Sequence, residues 1–235
     1  LYDKERNCLI SYSTQFPDLN IYNFQTQSWS GSGTEILPPI QQHNHFIDYK
    51  NHKLVLFGGY GMHQYKANLI VRDLFDGAWK TTDLKTQIMP RYLSAAGLYE
   101  DSILMVMGGY GSPSGKQEEL PQNLYDLYKI DYPNAQCEKV TNFSIAGDPI
   151  AMGNSLLIDK NEHTVYTLAY NNDRYNSLLY LISLDWESSR TTILGDTILY
   201  HFFDSESYCD LFLDKESNNL YAIILQQAPN QNGYF

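Results

Sequence analysis

One pattern recurs five times along this chain of 235 residues: an apolar segment, an acidic turn and a second apolar segment. In residues 46–57, for example, Asp48 opens the turn and the apolar run 54–57 follows it. Internal repetition restricts a chain to architectures assembled from one supersecondary unit. The turn acids are 45 to 59 residues apart, and they are Asp3, Asp48, Glu100, Asp159 and Asp214.

The repeats predict β-strands. The Asp, Asn and Lys residues between the short apolar segments are typical of hairpin turns. No segment keeps a 3.6-residue period, so helices should be short or absent and the expected fold class is all-β. In the second repeat we predict strands at 44–49, 53–57, 68–75 and 78–81, and in the third at 91–99, 103–108, 124–131 and 136–140.

Charge and hydropathy exclude several classes of partner. The chain carries 16 basic and 27 acidic residues, a net charge of −11, and its basic residues form no stripe. Nucleic-acid binding requires clustered Lys and Arg, so we predict no nucleic-acid partner. The most apolar run, residues 103–107, is far shorter than the roughly 20 residues that span a bilayer. We therefore predict no direct membrane insertion by this segment.

Two of the repeats share a glycine pair after their second strand. These segments are Phe57-Gly58-Gly59-Tyr60-Gly61 and Met107-Gly108-Gly109-Tyr110-Gly111. Trp79, and less regularly Trp29 and Trp186, follow a third strand, and Pro90-Arg91-Tyr92 opens a repeat. Together these residues resemble the Kelch repeat of β-propellers, which include the galactose oxidase central domain. The repeat-signature residues are Gly58, Gly59, Trp79, Gly108 and Gly109.

The resemblance implies four-stranded antiparallel blades, with the glycines where a strand leaves the sheet at positive φ. It divides the chain into blades at residues 1–41, 42–89, 90–147, 148–197 and 198–235, of which the first and the last are partial. About 17 strands are expected, whereas five closed blades would need about 20. We therefore expect a segment of a six- or seven-bladed Kelch-type propeller.

Loops between second and third strands belong to a binding face in Kelch propellers, so the resemblance directs attention to 60–66, 110–122 and 170–177. Tyr offers a large amphipathic contact surface and Arg a planar set of donors. An alternative for Tyr60 and Tyr110 is packing between blades. The candidate binding residues are His63, Tyr65, Lys116, Glu118, Asp173, Arg174 and Tyr175.

Catalytic and metal chemistry have weaker support. His43 and His45 could share one face of a strand, but no third ligand has suitable spacing, so we predict no metal and no cofactor. The acidic pairs Glu118-Glu119 and Asp204/Glu206 are expected to be structural, since a catalytic pair needs a pocket that separates its pKa values. We predict no catalytic residues.

These observations predict a non-catalytic recognition module that presents loops to a protein, peptide or carbohydrate. The resemblance also extends to sensor domains of bacterial regulators, which favours ligand sensing within a larger signalling protein and an extracytoplasmic, periplasmic or cell-surface location. The alternative is a sugar-acting Kelch-fold enzyme, similar to sialic-acid mutarotases or galactose oxidase, with its catalytic groups partly outside this segment.

Overall fold

The computed structural model describes residues 1–13, 19–32, 39–74, 77, 79–147, 149–204 and 206–226. Within these residues every regular element is a β-strand, and the strands form antiparallel sheets of up to five strands. The all-β prediction is confirmed. The described residues include no helix with the length and apolar character needed to cross a membrane.

Five sheets follow one another along the chain, and the strands of each come from one continuous stretch of sequence. The first contains β1 (Tyr2–Asp3), β2 (Cys8–Tyr12), β3 (Leu19–Asn23) and β4 (Ser28–Ser32). The second contains β5 (Asn44–Asp48), β6 (Lys53–Phe57), β9 (Asn68–Asp73) and β10 (Trp79–Asp83). A small hairpin of β7 (Tyr60–Gly61) and β8 (Gln64–Tyr65) lies between β6 and β9.

The third and fourth sheets have five strands each because their first strand is interrupted. The strand predicted at 91–99 is broken at Leu93, whose φ of 52° lies in the left-handed region and ends the extended backbone. The third sheet contains β11 (Arg91–Tyr92), β12 (Ala95–Glu100), β13 (Ile103–Gly111), β14 (Gln122–Asp131) and β15 (Gln136–Asn142). The fourth contains β16 (Ala151–Met152), β17 (Leu157–Asp159), β18 (Thr164–Tyr170), β19 (Asn176–Asp185) and β20 (Arg190–His201).

The fifth sheet consists of β21 (Tyr208–Asp214) and β22 (Asn219–Leu225) in the part of the chain that the structure describes. Several strand bounds differ from the sequence-based expectations: β13, for example, continues to Gly111 instead of ending at 108, and β10 spans Trp79–Asp83 instead of 78–81. The first sheet has four strands, because Tyr2 and Asp3 form the short strand β1, which pairs with β2. β20 continues to His201, so the expected boundary between residues 197 and 198 falls inside a strand.

The recurring acidic turn has a local hydrogen-bonding role. Asp159 Oδ1 accepts bonds from the backbone N–H groups of Asn161 at 3.0 Å and Glu162 at 3.2 Å. Such side-chain-to-backbone bonds stabilise tight turns between paired strands. Glu100 differs, since it adjoins a register shift in the pairing of β12 with β13. The turn acids that accept similar bonds are Asp3, Asp48 and Asp214.

Consecutive sheets pack face to face, and a separate hydrophobic cluster lies between each pair. In β13, Leu104 and Val106 face the second sheet, whereas Met105 and Met107 face the fourth. A strand that is buried on both faces requires a continuous apolar run, which explains residues 103–107. Trp79 packs half-buried against the cluster between the first two sheets.

Contacts at or beside their first strands connect the second to fifth sheets in succession. Asn44 Nδ2 donates to the Ser94 carbonyl at 2.6 Å, which connects the second and third sheets. Ala96 and Ser155 form a parallel bridge between the third and fourth. The N–H of Asn154 donates to the Cys209 carbonyl at 3.0 Å, which connects the fourth and fifth. These contacts fix the relative positions of the sheets and of the loops beyond them.

Arg91 crosslinks the third sheet. Its fully buried guanidinium donates to both carboxylate oxygens of Asp126, with Nη2 3.2 Å from Oδ2. Nη1 also donates to the Gly108 carbonyl at 2.9 Å, and Nε donates to the Met89 carbonyl at 3.0 Å. Arg91 therefore satisfies the carbonyl of a signature glycine while it holds β11 against β14.

The predicted positive φ of the glycine pairs is confirmed. Gly58 and Gly59 have φ of 70° and 98°, and Gly108 and Gly109 have φ of 63° and 115°. A Cβ on Gly109 would lie 2.8 Å from the Tyr92 carbonyl oxygen, closer than real Cβ contacts. The pairs thus combine unusual dihedral angles with close approach to the neighbouring chain.

Candidate functional site: a cleft on the loop face

Three loops between second and third strands lie together at one end of the sheets. The Tyr65 N–H, after the β7–β8 hairpin turn, donates to the Gly115 carbonyl at 2.7 Å. Asn123 Nδ2, at the start of β14, donates to Asn172 Oδ1 in the loop after β18 at 2.8 Å. The structure therefore brings together the three segments that the sequence indicated. We call this end of the molecule the loop face.

A fourth segment, before β21, completes the loop face. The Phe202 N–H donates to the Tyr175 carbonyl at 2.8 Å. Gln42, which precedes β5, donates through Nε2 to the carbonyls of Asp204 at 2.8 Å and Ser207 at 3.0 Å. Gln42 lies 162 positions from Asp204 and 165 positions from Ser207 in the sequence. Its amide therefore fixes the segment that carries Asp204.

Four tyrosines from the β7–β8 hairpin and the third sheet form a packed layer beneath the loops. Tyr65 and Tyr92 are buried, with ring centroids 5.4 Å apart, and Tyr60 and Tyr110 lie at 5.5 to 6.1 Å from Tyr92. Burial raises the pKa of Tyr65 to about 12, so its hydroxyl is neutral at physiological pH. The layer gives the loop face a rigid aromatic floor, and it matches the alternative in which Tyr60 and Tyr110 are packing residues.

A cleft of about 610 Å³ opens beside this layer, between the third and fourth sheets and the 202–204 segment. Its volume is within the usual range for small-ligand sites. Its walls combine aromatic rings with amides and carboxylates. We call it the loop-face cleft, and its principal lining residues are Tyr92, Tyr110, Tyr125, Phe202, Asn123, Asn172, Asp173 and Asp204.

Asp204 lies where the tyrosine layer meets the cleft. Its Oδ2 accepts a hydrogen bond from the Tyr92 hydroxyl at 3.0 Å. Asp204 is an exposed residue that lines the cleft, but the surrounding protein desolvates its carboxylate and so raises its pKa. The hydrogen bond from the Tyr92 hydroxyl lowers this pKa by a smaller amount. Burial, followed by the proximity of Asp204, raises the pKa of Tyr92. Tyr92 therefore remains a neutral donor that fixes the orientation of the carboxylate.

Amide side chains on the opposite wall supply both hydrogen-bond donors and acceptors. Asn123 donates through Nδ2 to the Ile150 carbonyl at 2.6 Å and to Asn172 Oδ1 at 2.8 Å. Because these bonds use the NH₂ group of Asn123 and the side-chain oxygen of Asn172, the Asn123 side-chain oxygen can accept from a ligand and the Asn172 NH₂ group can donate to one. Gln122 adds a further exposed amide to the cleft wall.

Three predicted binding residues belong to the loop after β18. Asp173 lines the cleft, and its exposed carboxylate is paired with Arg174, whose Nε lies 2.8 Å from Oδ1. The Arg174 bond lowers the pKa of Asp173. Tyr175 is half-buried and stacks on His201 with ring centroids 4.9 Å apart. Of this group, Asp173 is the residue that reaches the cleft.

The remaining candidates lie beside the cleft. Tyr65 is part of the buried tyrosine layer. His63 is exposed, and its Nδ1 lies 3.5 Å from Gln117 Nε2. Lys116 forms an exposed ion pair with Glu119 at 2.8 Å, and Glu118 is exposed on the same loop. These residues border the loop face without lining the loop-face cleft.

Sequence reasoning missed Tyr92, Asn123, Phe202 and Asp204 as cleft residues. Asp204 was expected to be structural as a member of the acidic pair Asp204/Glu206, because the sequence gives no sign of a pocket around that pair. The contact between Tyr92 and Asp204 joins positions 112 residues apart. The unusually polar ends of β14 and β19, at Asn123 and Asn176, were the available signal that these strand ends face a site.

A second cavity, of about 570 Å³, lies where the first, second, fourth and fifth sheets approach one another. His43 and His45 both line it, with ring centroids 6.0 Å apart, and His43 Nε2 lies 2.8 Å from the Tyr12 hydroxyl. Desolvation, with a contribution from His45, lowers the pKa of His43 to about 4. Among the described residues, no group of three His, Cys, Asp or Glu side chains could hold a metal ion.

No model of a known protein family matches this chain, and no curated protein shows significant similarity to it.

Proposed function

We propose that this chain is a Kelch-like propeller segment that binds carbohydrate, without catalysis, in the loop-face cleft. The observation that carries the proposal is the combination of aromatic rings with neutral amides and a fixed carboxylate in one cleft. The apolar faces of sugar rings stack on aromatic side chains, and their hydroxyls need donors and acceptors at close spacing. The cleft offers both kinds of contact.

The propeller part of the proposal draws support from the arrangement of the sheets. Successive sheets pack face to face and contact one another at or beside their first strands, as blades do. The fifth sheet carries exposed apolar side chains, including Tyr221 at 53%, Ile223 at 61% and Leu225 at 60% exposure, and the last two line the second cavity. A further blade against this sheet would bury them, in line with a ring of six or seven blades.

The hydrogen-bonding groups of the cleft favour a carbohydrate over a peptide. Asn123 and Asn172 orient each other, so one presents an acceptor and the other a donor. Adjacent hydroxyls on a sugar ring match such an alternating pair, because each hydroxyl both donates and accepts. A peptide or protein ligand would contact the exposed groups of the neighbouring loop, such as Glu118, as well as the cleft.

The experiment is a binding screen by isothermal titration calorimetry with neutral and amino mono- and trisaccharides. Asn172→Ala and Tyr110→Ala should each weaken binding of the sugar that binds best by about tenfold, since each removes a principal contact. Asn161→Ala is the matched control, because Asn161 is an exposed residue of the turn after β17, outside the cleft. It should bind like the unmodified protein.

The same samples separate the alternatives. Equal loss of binding in Asn161→Ala would contradict a site in the cleft, and absence of binding by every sugar would contradict carbohydrate recognition. Chemical turnover of a bound sugar would favour the sugar-acting enzyme over the non-catalytic module. Loss of binding to a peptide library in Glu118→Ala, with intact binding in Asn172→Ala, would favour a peptide partner.

A further inference from the structure

We infer that the loop-face cleft selects an amino sugar, with the protonated amine of the ligand paired to the carboxylate of Asp204. This inference rests on the proposed function, because it specifies the class of sugar that the same cleft binds. It follows from the charges along the cleft and from the orientation of one carboxylate.

Asp204 carries the one charge in the cleft lining that has no compensating cation among the described residues. The other lining acid, Asp173, is neutralised by Arg174 through contacts of 2.8 and 3.1 Å. The remaining lining residues are aromatic, amide or proline side chains, and none is Lys, Arg or His. A ligand that buried Asp204 without supplying a positive charge would leave a carboxylate desolvated, which is unfavourable.

The geometry leaves one carboxylate oxygen for the ligand. Tyr92 donates to Oδ2 at 3.0 Å, and Oδ1 has no partner among the residues that the structure describes. The Gln42 amide fixes the backbone carbonyl of Asp204 at 2.8 Å, so the side chain projects from an anchored position. An ammonium group can donate to Oδ1 while the ligand ring stacks on the neighbouring aromatic wall.

Selectivity follows from the difference between an amine and its N-acetylated form. An ammonium group forms a charge-assisted hydrogen bond with a carboxylate, whereas an acetamido N–H forms a neutral donor bond. The difference corresponds to about tenfold to a hundredfold in affinity. A sugar with a hydroxyl at the same position lacks the charge and should bind with similarly reduced affinity.

The pH dependence follows from the same group. Lowering the pH protonates Asp204 and removes the attraction, and its raised pKa moves this loss closer to neutrality than for an ordinary Asp. The titratable groups that interact with Asp204 are five tyrosines, whose pKa values are raised by burial and by Asp204, so all of them stay neutral: Tyr60, Tyr65, Tyr92, Tyr170 and Tyr208. Asp173 stays ionised to lower pH because Arg174 lowers its pKa.

The test measures affinity for three trisaccharides by titration calorimetry: those of glucosamine, N-acetylglucosamine and glucose. The unmodified protein should bind the glucosamine trimer about tenfold to a hundredfold more tightly than the other two. Asp204→Asn keeps an acceptor for Tyr92 and should remove this preference. Asp196→Asn is the matched charge control, because Asp196 is an exposed acid of β20 outside the cleft, and it should retain the preference.

The outcomes separate this inference from the proposed function. Equal or tighter binding of the neutral trimers would overturn the amino-sugar inference and leave carbohydrate recognition intact. No binding of any sugar, in this test or in the wider screen, would overturn both. If Asp204→Asn fails to fold by circular dichroism, a titration of the unmodified protein between about pH 7 and pH 4 decides the matter. Affinity for the glucosamine trimer that does not fall towards pH 4 would refute the pairing.

Discussion

Replacing Arg91 with leucine tests the energetic basis of the third sheet. Arg91 is fully buried and Asp126 has 12% of its side chain exposed, so the substitution leaves a carboxylate with little access to water. It also removes the donors to the Gly108 and Met89 carbonyls. Breaking a buried ion pair by removal of one partner costs about 3–5 kcal/mol. We expect a loss of this size in the free energy of unfolding.

The assay is urea denaturation followed by tryptophan fluorescence, together with thermal unfolding. A loss of about 3–5 kcal/mol corresponds to a decrease in Tm of roughly 6–20 °C for a protein of this size. The stability of Arg91→Lys should lie between those of the unmodified protein and Arg91→Leu. An ammonium group keeps the charge but cannot bind both carboxylate oxygens in the same planar geometry.

The double variant Arg91→Leu/Asp126→Leu separates a stranded charge from lost packing. It removes both charges, so it should be more stable than Arg91→Leu alone. A loss of less than about 1 kcal/mol in the single variant would refute the reasoning, since that is the value of an exposed ion pair. A double variant less stable than the single one would show that Arg91 contributes mainly through its other contacts.

Three further predictions concern the glycine pair, the second cavity and the hairpin turns. Gly109→Ala should cost at least about 1 kcal/mol more than Gly147→Ala. Both residues have positive φ, 115° and 112°, but a Cβ at Gly147 would meet nothing within 4 Å, so equal losses in urea denaturation would contradict the role of close approach. His43, with its pKa lowered to about 4, should make the folded state less stable as pH falls from 6.5 towards 4, because the unfolded chain binds the proton more tightly. His43→Gln should make stability less dependent on pH in this range. An unchanged slope of Tm against pH would contradict this role of His43. Asp159→Ala should cost about 0.5–1.5 kcal/mol through loss of its turn bonds, whereas Asn161→Ala in the same turn should cost less, because only the backbone N–H of Asn161 takes part in them. The comparison uses urea denaturation, and equal losses would argue against the turn bonds.

Local features of the fold were predictable from sequence, because short-range chemistry determines them. The bounds 53–57 were predicted as they occur in β6, since a strand buried on both faces needs an uninterrupted apolar run. The interruption at Leu93 was not predictable, because Leu has no intrinsic preference for positive φ. Packing against neighbouring sheets imposes that conformation.

The candidate site was predictable only in part. The loops were identified because their position between second and third strands follows from the repeat. The cleft itself depends on which side chains meet across sheets, and Asp204 reaches it through contacts with Tyr92 and Gln42 that lie more than a hundred residues away. Such long-range pairs leave no local pattern of spacing or periodicity.

The Gln42 amide also bears on the order in which the molecule folds. Its bonds to the 204–207 segment close a loop of more than 160 residues, and closing so long a loop costs entropy. We therefore expect these bonds to form in a late step, after the intervening sheets have formed. We accordingly expect the segment that carries Asp204 to be positioned last. A ligand bound there would slow the detachment of this segment from Gln42. Its effect should be visible first as protection of the amides around Gln42 from hydrogen exchange.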